Sequence, residues 1–441
     1  APVLLGGAGG ARLHFLQDAR FRRPKGSVVF LLRTPQLTES AGVAIRGQLF
    51  QALLSDALQD STYQAALAGL GAGVSCDVNG VTVSASGYSD RIPELVGLVG
   101  SQVRSFEISE IAFGRRLETL RQSLANFKLR MPVSLCSYYR GMVLEYPKFT
   151  VAELEAEAKA LTLTQMRTFQ QQLCPQANVE GLVCGNFDEA QARLLLSRLT
   201  DALPTAPLPD GTRLRRLVRK LPVGAQVQQF VAANADESNS AVEVYFQVGP
   251  DKGDTWLLLV LLSQILEQPY YEELRTNQQL GYIVQSGVTE TEGVRGLSCL
   301  IQSTEQPPPE LERRIDAVLA TFRDTLVTMP ETELTSYKEA LAAQSLDVDK
   351  RLAQQSGRFW GEIVQQRYDY GRPWRVAKRV RQVSRDQLID HFDNFFAPNA
   401  PKLRRLSTHV YAQASAPASL LPAPPDSSDF WPPPRDMLLK V

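Results

Sequence analysis

The spacing of apolar residues predicts short strands and longer helices through the first half of the chain. Alternation with period two, or a short apolar run, favours a strand, and apolar residues three and four positions apart favour a helix. The predicted elements are a strand at 27–33, helices at 41–58 and 63–70, a strand at 79–86, helices beginning at Pro93 and spanning 107–129 and 151–173, and a strand at 180–184.

The second half repeats this order at an offset of about 210 residues. Its predicted elements are a strand at 241–248, helices at 254–266 and 271–280, a strand at 294–302, a helix beginning at Pro309, helices within 331–367 and at 384–396, and a strand at 406–411. Leu280-Gly281 matches Leu70-Gly71, and we interpret Gly281 as the glycine that ends the second helix. The predicted fold is α+β, with two tandem homologous domains, each a mostly antiparallel sheet with one face covered by helices.

Changes in composition set the predicted domain boundaries. Proline, glycine and small polar residues mark segments outside the packed repeats. The prediction is a flexible leader at 1–12, a first repeat at 13–203, a linker at 204–222, a second repeat at 223–413 and an extended Pro/Ser-rich tail at 414–441. The basic residues of the linker, among them Arg213, Arg215 and Arg216, are interpreted as a solvated face.

The charge and the cysteine content exclude some classes of binding partner and favour one kind of cellular compartment. Lys+Arg and Asp+Glu both number 47, so the formal net charge is +0 and no global field attracts nucleic acid. The longest apolar run, 256–262, is far shorter than the roughly 20 residues of a membrane span, so none is predicted. Five widely spaced cysteines without a C-x-x-C pair predict free thiols in a reducing compartment, the cytoplasm or an organelle interior, rather than secretion.

The three histidines are too dispersed to form a known catalytic motif. His14, His391 and His409 lie far apart in sequence, and neither H-E-x-x-H nor H-x-x-E-H occurs. No metal site is therefore predicted on this chain. His14 and His409 are interpreted as structural residues, and His391 as an exposed residue of a helix.

Two positions distinguish the second repeat from the first. Arg275 occupies the place of Ala65, and Tyr282 occupies the place of Ala72. A spacing of seven residues puts both on one helical face, with Tyr282 leading a strand after the helix. A phenol donates one hydrogen bond and a guanidinium offers a cationic fork, which suits an oxyanion or a peptide carbonyl. Spacing alone leaves open that they are a surface arginine and a half-buried core tyrosine.

The stretch that contains this pair carries a family resemblance. Residues 273–287, ELRTNQQLGYIVQSG, resemble the L-R-T-x-x-Q-L-G-Y-I/V-V-x-S-G signature of the insulysin (insulin-degrading enzyme) branch of the inverted-zinc-motif metallopeptidases, which includes pitrilysin. Gly185-Asn186 and Phe359-Trp360-Gly361-Glu362-Ile363 agree with that family in order, and the resemblance runs from about Leu13 to Gln413.

The resemblance implies a larger assembly than this chain. Such enzymes have four homologous α/β domains in two halves that close like a clamshell around a peptide, and the zinc motif lies in the N-terminal half. The chain resembles the C-terminal half, domains three and four, so Zn²⁺ is expected on the N-terminal half, whether fused or a separate chain. The resemblance assigns Tyr282 to the scissile carbonyl or its oxyanion, and Arg275 to the substrate backbone.

The resemblance suggests further binding residues and leaves alternatives beside them. Tyr271 matches an aromatic position that lines the pocket after the scissile bond, although an aromatic there also suits a core. Lys350 and Arg351 stand near a lysine cluster that relatives use for polyanions, but an inserted acid and fewer bases also fit an ordinary solvated helix face.

The function expected from the resemblance is the non-zinc half of a metalloendopeptidase that degrades short or unfolded peptides in an enclosed chamber. Its expected partners are the zinc-bearing half and peptide substrates, and homo-oligomer formation is left open. The alternatives are a catalytically silent structural or regulatory subunit of the same fold, as in processing peptidases and respiratory core proteins, or a peptide-binding module.

Overall fold

The structure is a computed structural model, which describes residues 1–6, 10–212, 217–420 and 438–439. The chain divides into two compact units. The first unit consists of residues 1–125, 149–216 and 348–371, and the second of residues 126–148, 217–347 and 372–441. No helix of the described residues is both long enough and apolar enough to cross a membrane.

The helices and strands follow the predicted order closely. The strands are β1 Val3–Gly6, β2 Arg12–Gln17, β3 Lys25–Arg33, β4 Gly71–Asp77, β5 Gly80–Tyr88, β6 Glu145–Tyr146, β7 Asn178–Gly185, β8 Leu217–Arg219, β9 Gly224–Val231, β10 Ser240–Pro250, β11 Ile283–Thr291, β12 Val294–Ser303, β13 Arg404–Tyr411 and β14 Leu438–Leu439. The helices are α1 Ala41–Leu67, α2 Ile92–Ser105, α3 Glu110–Ala125, α4 Pro132–Leu144, α5 Val151–Ala160, α6 Leu163–Gln171, α7 Glu189–Ala202, α8 Thr255–Tyr271, α9 Pro308–Thr328, α10 Glu331–Ser345, α11 Leu352–Val364, α12 Arg372–Val380 and α13 Arg385–Phe395.

The first unit is built on a six-stranded sheet of order β1-β2-β7-β3-β5-β4, antiparallel except for the parallel pair β2 and β7. Alternate residues of β3, such as Val28 and Phe30, face the main helical core that includes α1. The opposite face is also covered, because α11 places Phe359 and Ile363 against Leu182. The expected sheet with one covered face is therefore a sheet between two helical layers.

A buried polar network holds α11 on this sheet. Arg33 donates from Nε to Glu180 Oε2 at 2.9 Å and from Nη2 to the carbonyls of Ile363 and Val364. Tyr368 donates its hydroxyl proton to Glu180 Oε1 at 2.7 Å. Burial alone would raise the pKa of Glu180, but hydrogen bonds from His14 and Tyr368 and the charge of Arg33 outweigh it and lower that pKa. The buried carboxylate of Glu180 is thus paired with a cation and accepts several hydrogen bonds, while Arg33 Nη1 makes none within the described residues.

The second unit repeats the plan with a five-stranded sheet of order β11-β12-β10-β13-β9, antiparallel except for the parallel pair β13 and β9. Val242, Val244 and Phe246 of β10 face a core shared with α8 and α9. The other face is covered by α4, whose Arg140 pairs with buried Glu243 at 2.9 Å. A helix from the first half of the sequence therefore completes the second unit.

Several predicted boundaries differ from the observed ones. The predicted helices at 41–58 and 63–70 are one helix, α1, because no breaker interrupts that stretch. The predicted helix at 151–173 is two helices, because Thr162 begins α6 with a capping box to Gln165. Residues 3–6, expected in a flexible leader, form β1 and pair with β2.

The predicted linker and tail contain regular structure as well. β8, within the predicted linker 204–222, pairs with β6 and with β14 of the predicted tail. Arg213, Arg215 and Arg216 lie outside the described residues, as does most of the tail after Leu420. The prediction of free thiols is confirmed for all five cysteines, four of which are buried.

His391 is buried, and the expectation that it is exposed was wrong. Its ring packs at 4.8 Å from that of Phe395 and at 5.8 Å from that of Phe396, and 5% of the residue is accessible. Burial, together with the positive charge of Lys402, lowers the pKa of His391 to about 4. The histidine is therefore neutral in the folded protein at a pH where an unfolded histidine is protonated.

We expect this histidine to make folding pH-dependent. An unfolded histidine binds its proton near pH 6.5, so its contribution is fully present above that pH and is lost as pH falls toward the folded pKa near 4. Between pH 6.5 and 5, the thermal midpoint should fall less in His391→Phe than in the wild-type protein. Circular dichroism melts at four pH values measure this. Parallel slopes in the two proteins would contradict the assignment.

Candidate functional site

The helix that carries the candidate residues ends in a π-helical turn. After α8, residues 272–277 form i→i+5 bonds, with the Gln278 N–H donating to the Glu273 carbonyl at 3.0 Å. Pro269 lies inside α8 and has no N–H to donate to the preceding turn. The π-helical turn carries Arg275 at the end of a mostly apolar helix.

A tight connection then delivers Tyr282 to the start of β11. The π-helical turn ends at Asn277 and the residue with left-handed backbone is Gln279, with φ of 52°, so the prediction that Gly281 ends the helix was wrong. Gly281 is required for another reason. A Cβ there would lie 1.9 Å from the carbonyl oxygen of Gln302 on β12. The glycine allows the chain to approach β12 closely immediately before Tyr282.

Tyr282, Arg275 and Tyr271 lie together on the surface of the second unit. Tyr282 is 87% exposed and Tyr271 is 51% exposed, so neither belongs to the core. The guanidinium carbon of Arg275 lies 5.6 Å from the centroid of the Tyr282 ring, within cation–π range. This contact uses the face of the Tyr282 ring, so the phenol hydroxyl can still donate a hydrogen bond to a ligand.

These three side chains line one groove of about 810 Å³. One wall is the polar face of α8 and the other is the beginning of β11. Residues that sequence spacing did not single out also line it: Gln264, Glu267, Gln268, Ile283, Val284, Gln285, Ser286 and Tyr337. A signal was present, because positions 264, 268, 271 and 275 recur at helical spacing as polar or aromatic residues in an apolar helix.

The charge of Arg275 is available to a ligand. No ion pair involves this residue within the described ranges. The nearest acid in sequence that could compete, Glu273, accepts hydrogen bonds from Gln278 and Asn277, each at 2.8 Å. These bonds, that from Gln278 first, lower the pKa of Glu273. The carboxylate is therefore held by its own turn, and Arg275 can bind a carbonyl or carboxylate oxygen.

Lys350 and Arg351 belong to the other unit. They precede α11 in the first unit, and both are exposed. Their backbone N–H groups donate to Gln354 Oε1 at 2.8 and 3.1 Å. The adjacent Asp349 is engaged by Arg358 at 2.7 Å. The two cations do not line the groove, and their predicted contact with polyanions stays a prediction.

The part of the chain that the structure describes contains no group of three or more His, Cys, Asp and Glu side chains placed to hold a metal ion. The described residues therefore offer no set of ligands that fits the Zn²⁺ that the resemblance implies for the whole enzyme, and the candidate groove is lined by polar side chains, the acid Glu267 among them, and by an aromatic wall.

Comparison with known proteins identifies the family. Residues 1–157 match the family described as the middle or third domain of peptidase M16, and residues 261–360 match the one described as PQQ synthase PqqF-like, C-terminal lobe domain 4. Human insulin-degrading enzyme is 30% identical over 417 residues, which are 93% of this chain and 41% of that protein. The chain belongs to the M16 peptidase family.

Within the M16 family, the chain corresponds to the C-terminal half of an insulysin-like protein, which confirms the resemblance drawn from residues 273–287. It spans about two fifths of the length of the curated relatives it matches. The crystal structure of pitrilysin shares the fold, with a TM-score of 0.83 at 22% identity over 95% of this chain and 44% of pitrilysin.

Proposed function

We propose that this chain is the non-zinc half of a zinc metalloendopeptidase that cleaves short or unfolded peptides in an enclosed chamber. The observation that supports it most is the pair of half-buried Arg275 and exposed Tyr282 at one groove, in a stretch with the family's signature. A fold does not require either group there, since both are held outside the core.

The proposed roles follow from the donor chemistry of each side chain. The Tyr282 hydroxyl donates a hydrogen bond to the scissile carbonyl oxygen. This hydrogen bond becomes stronger as negative charge develops on that oxygen. The Arg275 guanidinium binds a neighbouring backbone carbonyl and fixes the register of the peptide. Tyr271 offers a flat apolar wall to the side chain after the scissile bond. The metal and its chemistry lie outside this chain.

The partner we propose is a zinc-bearing N-terminal half, either on the same polypeptide or on a second chain. The repeats at 13–203 and 223–413 would then be the third and fourth domains of the assembled enzyme. We further propose a reducing compartment, in keeping with five free thiols, and a weak polyanion contact at Lys350 and Arg351.

One observation favours a catalytically silent subunit as the second candidate. A crystal structure titled as a peptidase M16 inactive domain from Pseudomonas fluorescens shares the fold with a TM-score of 0.66 at 14% identity, over 93% of this chain and 99% of that one. A chain of this architecture can therefore exist at about this length. A catalytically silent subunit would not require Arg275 and Tyr282 as hydrogen-bond donors to a peptide undergoing cleavage.

Zinc content and peptide cleavage of the native protein separate the two candidates. We expect the particle isolated through this chain to hold roughly one zinc, and a chelator to abolish cleavage of ten-residue peptides until zinc is restored. Intact mass in the same preparation shows whether the zinc half is fused. A particle without zinc that cleaves no peptide would favour the silent subunit.

A further inference from the structure

The strand that follows Tyr282 is an edge strand. β11 pairs with β12 and with no other described strand. The hairpin closes through Glu292 and Gly293, both with positive φ, which makes Thr291 and Val294 a hydrogen-bonded pair. Every second residue back from Thr291 forms a further hydrogen-bonded pair with β12, so the residues between them turn their N–H and C=O away from β12. Those outward groups belong to Val284, Ser286, Val288 and, nearest the turn, Glu290.

The open edge borders the groove rather than bare solvent. Val284 and Ser286 line the groove on the strand side, and Gln264 and Tyr271, two turns apart on one face of α8, line it on the helix side. β11 contains neither proline nor lysine, the residues that commonly block an edge. An extended chain can therefore add to β11 with its side chains directed toward α8.

Two polar atoms in the groove have no partner within the described residues. Gln264 Oε1 and Ser286 Oγ are both shielded from solvent and make no hydrogen bond. A buried polar group left without a hydrogen-bond partner destabilises the fold, so such groups are uncommon unless a ligand or water satisfies them. The residues that carry these atoms line the same groove, one from each wall, so a rotation of either side chain can present its unpaired atom to a polar ligand in the groove.

We propose that an extended peptide pairs as an additional strand with the outward edge of Val284, Ser286 and Val288. One of its side chains, ending in an amide or a hydroxyl, enters between Gln264 and Ser286. An amide or hydroxyl both donates and accepts, which matches an unpaired amide oxygen on one wall and an unpaired hydroxyl on the other. This assignment rests on the proposed function and adds a specificity subsite to it.

The recognition of the backbone is tested by amide exchange in the full-length protein. The probe is a ten-residue peptide of alanine, valine and threonine with a central glutamine, added under chelation so that it is not cleaved. The amides of Val284, Ser286 and Val288 should become protected by roughly tenfold or more, whereas those of Ile283, Gln285 and Gly287 already donate to β12. Absence of this alternating gain overturns strand addition.

The side-chain subsite is tested by kcat/KM for that peptide against one with central norleucine, which lacks the amide. The wild-type protein should prefer glutamine by roughly tenfold, and Gln264→Leu and Ser286→Ala should each reduce the preference toward one. Both variants remove an unpaired atom and create no new one, so they should fold. The matched control is Gln268→Leu on the same helix face, which should keep the preference.

The two proposals fail differently. If peptides are cleaved but the glutamine preference is absent or unaffected by either variant, the subsite is wrong and the proposed function stands. If the protein cleaves no peptide, the proposed function fails, and alternating amide protection still decides whether an extended peptide binds the edge.

Discussion

Under the proposed function, replacing Tyr282 with phenylalanine should lower kcat of the complete protein by roughly 10²-fold, the low end for loss of one oxyanion donor. The substitution removes a single hydroxyl from a side chain that is 87% exposed, so it creates no cavity. The aromatic face next to Arg275 is retained, and with it the cation–π contact. The measurement is kcat and KM for three peptides of unrelated sequence.

The separation of kcat from KM decides what the hydroxyl does. A donor that strengthens as charge develops changes kcat, whereas a donor that holds the ground state equally well changes KM. Tyr63→Phe removes the hydroxyl of another exposed tyrosine outside the groove and serves as the control. An unchanged kcat for Tyr282→Phe on all three peptides would exclude the proposed role.

Local periodicity predicted most elements because each repeat has a strongly patterned core. The alternation at 241–248 lies within β10, Ser240–Pro250, and the run at 27–33 lies within β3, Lys25–Arg33. Prediction failed where ends depend on caps or on pairing partners. β1 forms because β2 offers it an edge, and no pattern within residues 3–6 contains that information.

The placement of α4 and α11 could not be predicted for a similar reason. An amphipathic helix specifies that one face is buried, but not which sheet it covers. Arg140 meets Glu243 and Arg33 meets the end of α11 only in the folded units, and these contacts join residues more than 100 positions apart in the chain. Covered second faces on both sheets are therefore a tertiary result.

The candidate site was partly predictable from comparison of the two repeats. Arg275 and Tyr282 stood out because the matching positions of the first repeat are alanines. Gln264 and Ser286 could not be identified in this way. Their unpaired polar atoms and their positions on opposite walls of one groove are visible only in the folded structure. The role of Gly281 was misassigned, because its close neighbour, the Gln302 carbonyl, lies on a strand 21 residues later.

Gly281→Ala should lower kcat/KM for peptide cleavage more than Tyr282→Phe does, and it should also destabilise the fold. The added Cβ would lie 1.9 Å from the carbonyl oxygen of Gln302 and 3.0 Å from its carbonyl carbon, both backbone atoms of β12. No rotamer change relieves a clash with backbone, so the start of β11 must move. We expect a loss of about 1–3 kcal/mol of stability, typical of overpacking. Denaturant unfolding and kcat/KM measure both effects.

The displaced residue next in the chain is Tyr282, and this couples the structural change to function. A shift of about 1 Å at a positioned donor can cost 10²-fold, and Arg275 would lose its ring contact at the same time, so kcat/KM should fall below that of Tyr282→Phe. Gly287→Ala, on the same strand with nothing within 4 Å of its added Cβ, should leave both stability and cleavage nearly unchanged. Equal behaviour of the two alanine variants would mean that the approach of Gly281 to β12 does not position Tyr282.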